Sequence, residues 1–368
     1  MSVKIKNRII VITSAVLAFT LSLLFVVLPK SGYSDSERRP LEKFPELSWD
    51  SLVSGKFMGK FDTYSVENFP FRDGFRGIKA FASKYLLMQL ENNDLYIDEN
   101  GYIVKIQFPN EGSVENAVNK LNFVYDKYLK DSNSKIYLSI VPDKNFFADD
   151  FRLKPDYEAM VDTVKDGMSY AQYIDLFSVL EIDDYYKTDT HWRQEALVPA
   201  ANALANAMGA QLPGNFTEHT ASDSFNGVYV GQAALPVKPD TIKYLTNAAI
   251  DRATVTLFDN NMAGEEMPMY DETKLDGKDG YEFFLGGGNL GLLKITDPDA
   301  QTDRKLIIFR DSYGSAIAPL LTGAYSEITV IDTRRVNPMV LGMFVDFNDA
   351  DVLFLYSSLV LCDSSEIK

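Results

Sequence analysis

The sequence holds one cysteine, Cys362, and only two histidines, His191 and His219. A single thiol excludes a disulfide framework and any metal site built from several cysteines. One histidine beside scattered carboxylates makes no recognisable ligand set, so no metal is expected. Positive charge is also short: 36 Lys and Arg stand against 52 Asp and Glu, for a formal net charge of -16. An acidic body without a basic stripe repels phosphate backbones, so nucleic acid is not an expected partner. Tryptophan is scarce, at 2, while Phe (24) and Tyr (20) are plentiful. There is no internal repeat and no low-complexity tract.

What is present is one long apolar run and a body able to fold. Residues 9–29 read IIVITSAVLAFTLSLLFVVLP without a charge. A helix over 9–28 would be about 30 Å long, the thickness of a bilayer's hydrocarbon core. Lys4, Lys6 and Arg8 precede it and favour a cytoplasmic N-terminus. A cleaved signal peptide would have a shorter core and a small-residue site; Leu28-Pro29-Lys30-Ser31-Gly32 offers none. The expectation is a single-pass membrane protein: a cytoplasmic tail over 1–8, an anchor over 9–29 and an extracytoplasmic body. Of the 368 residues 46% are hydrophobic, enough for one large core or two ordinary ones.

Along the body, residues 31–50 are polar and proline-bearing and read as a stalk. Helical spacing over 51–90 is broken at Phe69-Pro70-Phe71-Arg72, which predicts two short helices. A hairpin is expected over 95–106, around Asp98-Glu99-Asn100-Gly101. Val114, Ala117, Val118, Leu121, Val124, Tyr125 and Tyr128 then recur at helical spacing. Apolar runs over 136–141, 306–309, 328–331 and 352–356 predict buried strands. Strands alternating with helices imply an α/β fold with a mainly parallel sheet. Residues 210–300 lack this rhythm and read as an insertion of loops and short strands within a domain spanning 91–368.

Two stretches carry chemistry. In Asp189-Thr190-His191 an extended backbone would put carboxylate and imidazole on one face. The carboxylate then fixes the tautomer and leaves Nε2 as a base; a chance or purely structural pairing remains the alternative. A helical run follows over 193–208, disturbed by Pro199, so that the helix is kinked there or starts late. In Ile307-Ile308-Phe309-Arg310-Asp311-Ser312-Tyr313-Gly314-Ser315 a buried strand leads through a serine into small residues. That turn would place the Ser312 hydroxyl at the carboxyl edge of the sheet, with the next helix's first amides nearby. The alternative is a serine helix cap. The segment Phe283-Phe284-Leu285-Gly286-Gly287-Gly288-Asn289 either brings donors to the same place or is a glycine turn. Tyr313, Gly288 and Asn289 are the candidates for substrate or oxyanion contacts. His219 has no evident partner in sequence and reads as a surface residue.

At these residues the chain resembles the DHHW family and the related alginate O-acetyltransferases of the AlgX and AlgJ type, within the SGNH hydrolase-like superfamily. The resemblance rests on Arg38-Arg39-Pro40-Leu41 with Phe44-Pro45, and on Glu67-Asn68-Phe69-Pro70-Phe71-Arg72. It rests further on Thr188-Asp189-Thr190-His191-Trp192 and Arg310-Asp311-Ser312-Tyr313. Thr190 stands where the DHHW motif has its first histidine; the alginate enzymes also carry threonine there. The order Asp, His, Ser is permuted relative to typical SGNH hydrolases, as in the alginate enzymes.

The resemblance implies a flavodoxin-like three-layer domain, with Ser312 as nucleophile, His191 as base and Asp189 as orienting acid. It implies no cofactor, an exported or cell-envelope polysaccharide as substrate, and a membrane-bound O-acyltransferase as acyl donor. The resulting expectation is a membrane-anchored bacterial O-acetyltransferase. A carbohydrate esterase would use the same triad with water as acceptor. A non-catalytic glycan-binding or scaffold protein is the alternative from another class.

Overall fold

The computed structural model describes residues 2–148, 153–258 and 263–368. The chain forms two compact units: Met1–Asn92 with Gly231–Pro236, and Asn93–Val230 with Val237–Lys368.

The first unit begins with an exposed helix, Val3–Val27, of 25 residues. At about 37 Å it is long enough to cross a bilayer. It starts ahead of the apolar run because Lys4, Lys6 and Arg8 are good helix formers. Pro29 stops it by forcing Leu28 into extended backbone (φ -70, ψ 139). Beyond it, within the segment read as a stalk, Tyr33–Ser34 pairs antiparallel with Arg39–Pro40. Three helices follow, Trp49–Val53, Lys56–Glu67 and Arg72–Phe81. The extra break comes from Gly55, whose φ of 75 only glycine adopts readily. The two motif segments of this unit bind each other. Arg39 pairs with Glu67 at 2.7 Å, and the Asn68 side chain donates to the Glu42 carbonyl at 3.0 Å.

The second unit is built on one sheet. Its strands, numbered in chain order, are β1 (Lys135–Val141), β2 (Gln172–Tyr173), β3 (Thr254–Leu257), β4 (Glu265–Met267), β5 (Leu292–Thr296), β6 (Lys305–Arg310), β7 (Glu327–Ile331) and β8 (Ala350–Ser357). The spatial order is β4-β3-β5-β7-β6-β8-β1-β2. From β7 to β2 every pairing is parallel; β4, β3 and β5 extend the sheet antiparallel. Residues 210–300 therefore contribute three strands to the main sheet. They also form a separate ribbon, Thr217–Phe225 against Asp240–Thr246. Residues 259–262 of that stretch lie outside those described.

Side-chain alternation fixes three layers. Leu306, Ile308, Leu353 and Leu355 face a core shared with Ala200, Leu204 and Ile317. Ile307, Phe309, Val352 and Phe354 face the other core, with Val114, Leu121, Met160 and Val164 from helices Ser113–Val124 and Tyr157–Gly167. Each fully buried Ile, Leu or Phe is worth about 1.5–3 kcal/mol. β8 is buried along its whole length, which is why it reads as a continuous apolar run. The hairpin Leu95–Ile97/Ile103–Lys105 forms as expected. The helix near His191 starts late, at Val198, with Pro199 in its first turn, where the missing N–H costs nothing. The fold is the expected three-layer α/β domain on a mainly parallel sheet.

Candidate active site

The connection after β6 leads to β7 on one side; the connection after β1 leads to β2 on the other. Ligands bind outside carboxyl strand ends where connections diverge in this way. Ser312 sits there, two residues beyond β6. Buried Asp311 secures the turn. One of its oxygens accepts the Tyr313 amide at 3.0 Å and the other the Ser357 amide at 2.7 Å, tying the ends of β6 and β8 together.

The loop carrying Asp189 and His191 reaches the same edge although 121 residues separate His191 from Ser312. Trp192 and Tyr313 close the distance. The indole N–H of Trp192 donates to the Tyr313 carbonyl at 3.0 Å, and the Tyr313 hydroxyl donates to the Thr190 carbonyl at 2.6 Å. Both side chains are buried, and burial holds the Tyr313 phenol well above its ordinary range, so it stays a donor. Beneath the loop, the buried Lys144 ammonium donates to the carbonyls of Tyr186 (2.9 Å) and Lys187 (3.2 Å). Burial pushes its pKa down to about 7. Gly227 packs so closely on the loop that a Cβ there would lie 2.4 Å from Asp189 Cβ.

Held this way, the three side chains form one line. Ser312 Oγ lies 2.7 Å from His191 Nε2, and His191 Nδ1 lies 2.6 Å from Asp189 Oδ1. Asp189 Oδ1 also accepts the His191 amide at 3.1 Å, and Oδ2 accepts the Val228 amide at 2.8 Å. These bonds fix the carboxylate, and the carboxylate fixes which imidazole nitrogen carries the proton. The imidazole stacks flat on buried Tyr281, with centroids 3.6 Å apart and an interplanar angle of 3°. Tyr281 precedes the glycine segment by a few residues, and nothing in the sequence marked it.

The remaining candidates divide. Gly288 comes to Ser312: a Cβ there would lie 3.1 Å from Ser312 Cβ and 3.1 Å from Arg334 Nη2. The carbonyl of Gly287 is gripped by Arg310 and by Ser315, each at 2.7 Å. In a trans peptide the next N–H points the opposite way. The Gly288 and Ser312 amides have no hydrogen-bond partner among the described residues. Asn289 and Tyr313 are committed elsewhere. The Asn289 carboxamide donates to Glu282 at 2.7 Å, and its amide to Gly286 at 3.3 Å. The amide of Tyr313 is used on Asp311 and its hydroxyl on Thr190, so it ties the two loops together. The helix after Ser312 is only Gly314–Ile317 plus a 3-10 turn, and its first amides cap the preceding carbonyls. That differs from the expected row of free helix amides. His219 bonds Thr246 in the ribbon, with Nε2 3.0 Å from Oγ1.

No family model matches the sequence, and no curated protein matches it. Solved structures share the fold. A DHHW family protein from Eubacterium siraeum superposes with a TM-score of 0.60 at 20% identity, covering 75% of this chain and 94% of that one. Bacillus cereus PatB1, solved with a sulfonyl adduct, gives 0.58 at 18% identity, covering 74% and 97%. The O-acetyltransferase domain of Pseudomonas putida AlgJ gives 0.45 at 14% identity over 73% and 92%, and no argument rests on it.

Proposed function

We propose that the protein is a membrane-anchored, serine-dependent O-acetyltransferase whose body faces away from the cytoplasm and acts on a polysaccharide. The observation that carries this reading is the unbroken line Asp189–His191–Ser312 at the carboxyl edge of the sheet, with spacings of 2.6 and 2.7 Å. His191 Nε2 takes the hydroxyl proton as Ser312 Oγ attacks the donor ester carbonyl. Charge that develops on the carbonyl oxygen is met by the amides of Gly288 and Ser312. The tetrahedral centre collapses, the donor alcohol leaves with the proton from His191, and acetyl remains on Ser312. A glycan hydroxyl then gives its proton to His191, attacks the acyl-serine and leaves as the acetyl ester, restoring the serine.

Transfer is favoured over hydrolysis by the motif resemblance to the alginate enzymes. The helix Val3–Val27 supports tethering of that chemistry at a membrane. The test is turnover of a chromogenic acetyl ester with and without oligosaccharide acceptors. A transferase speeds release of the chromophore when acceptor is added and yields acetylated oligosaccharide. Hydrolysis alone, with no acceptor acetylated, makes the protein an esterase. No turnover by folded protein, with saccharide binding intact, leaves a binding protein.

A further inference from the structure

The helix Arg72–Phe81 is amphipathic the wrong way round for a soluble domain. Its polar face is turned inward. Arg72 and Arg76 both pair with Glu37, at 2.6 and 3.2 Å, and Arg76 also donates to the carbonyls of Gly231 and Gln232. Its apolar face is turned outward: Phe71, Phe75 and Ile78 follow one another at helical spacing, and Tyr85 and Leu86 continue the stripe through the next turn. Ile78 is 67% exposed, whereas the Arg76 side chain is only 13% exposed. Such a face needs an apolar occupant.

We infer that the stripe Phe71–Phe75–Ile78–Tyr85 is a second membrane contact, lying on the headgroup and acyl boundary of the bilayer that Val3–Val27 spans. The inference rests on the anchor reading above. The end of the long helix is tied to the start of the stripe. Lys30 Nζ donates to the carbonyls of Phe25 (2.6 Å) and Asn68 (3.1 Å), and the ring of Phe25 meets that of Tyr64 at 5.9 Å. Phe71 is three residues beyond Asn68, so it lies within about 11 Å of that tie. Leu28, Pro29, Phe69 and Phe71 line one hollow. Charge agrees. With Arg72 and Arg76 held inward by Glu37, the span 56–84 still carries Lys56, Lys60, Lys79 and Lys84 against Asp62, Glu67 and Asp73, in a chain of net charge -16. Basic residues flanking an aromatic and aliphatic face are what an interfacial helix presents to anionic lipid.

Tryptophan scarcity makes this testable in the full chain. Trp192 is fully buried and Trp49 is 79% exposed. A Trp49→Phe chain therefore retains one shielded indole. Phe75→Trp, and separately Ile78→Trp, are added to that background, and the proteins are reconstituted in phosphatidylcholine–phosphatidylglycerol vesicles with brominated acyl chains. Vesicle flotation monitors the anchor, and near-ultraviolet circular dichroism monitors folding. The expected result is a large loss of the added indole's emission relative to vesicles without bromine, with Trp192 alone little affected. Chains that float with the vesicles but show no added quenching at either position overturn this inference and leave the anchor standing. An unquenched stripe that cross-links to a second copy overturns it in favour of a protein partner. Chains that fail to float overturn the anchor, and this inference with it.

Discussion

The indole N–H of Trp192 donates to the main-chain carbonyl of Tyr313 at 3.0 Å, inside the core and one residue away from both the imidazole and the serine hydroxyl. One partner adjoins His191 in sequence and the other Ser312, so this single bond sets the register between the two loops. Tyr313 returns the connection through its hydroxyl to Thr190. The tryptophan that completes the Asp-x-His-Trp pattern is therefore a clamp.

Trp192→Phe keeps most of the packing and leaves the buried Tyr313 carbonyl without its donor. The expected cost is about 1–3 kcal/mol of stability. A fall in kcat should accompany it, because serine and imidazole lose their register. Thermal melting and ester turnover, measured side by side, check this; unchanged turnover would show that the clamp does not position the reacting groups.

Ser312→Ala and His191→Ala should each lower turnover on the order of 10³-fold or more, and the double change should add little, since the two act as one unit. Asp189→Asn should cost less in rate, because the base survives. It should also lower the melting temperature. Asp189 accepts from His191 Nδ1, the His191 amide and the Val228 amide, and an Asn –NH₂ cannot accept. Full additivity of the Ser312 and His191 losses would argue against a shared step.

Gly288→Ala tests the amide proposed to meet the oxyanion beside Ser312. The new methyl would meet Ser312 Cβ and Arg334 Nη2 at 3.1 Å each, tight enough to move them by a few tenths of an ångström. Turnover should fall more steeply than stability, and mainly through kcat. A variant with wild-type kcat would remove Gly288 from the oxyanion site.

Lys144 supplies a pH signature. Its folded pKa, about 7, lies below its unfolded value near 10.4. Between those values the unfolded chain binds more protons, so this group makes the protein more stable as pH rises from about 7 to 10 and less stable as pH falls. Lys144→Met removes that dependence. Its melting temperature should change less with pH over that window than the wild type's. Its turnover should fall, because the carbonyls of Tyr186 and Lys187 lose their tether. Parallel pH profiles for the two proteins would show that Lys144 does not titrate there.

The parallel strands were legible because they are buried on both faces and read as unbroken apolar runs; β6 and β8 are the clearest. The antiparallel edge was not. β3 and β4 are only four and three residues long, and β4 holds two glutamates, so Thr254–Leu257 and Glu265–Met267 do not stand out until β3 pairs with β5 and β4 with β3. His191 stood out because histidine is scarce, Asp189 because it lies two residues from it, and Ser312 because it follows a buried strand. The place of Tyr281 depends on a stacking plane, which no local pattern encodes, whereas Gly288 was reached through the glycine segment that contains it. Asn289 has the right chemistry, and Glu282 holds it by a bond that sequence spacing did not reveal.

Labelling of the nucleophile tests the central claim most directly. The full chain is treated with an activated acetyl ester, and separately with a sulfonyl fluoride, then analysed by intact mass and peptide mapping. The account predicts one added acetyl or sulfonyl group per chain on Ser312, lost in Ser312→Ala and strongly slowed in His191→Ala. Absence of any adduct on folded wild-type protein, or an equal adduct on Ser312→Ala, would contradict it.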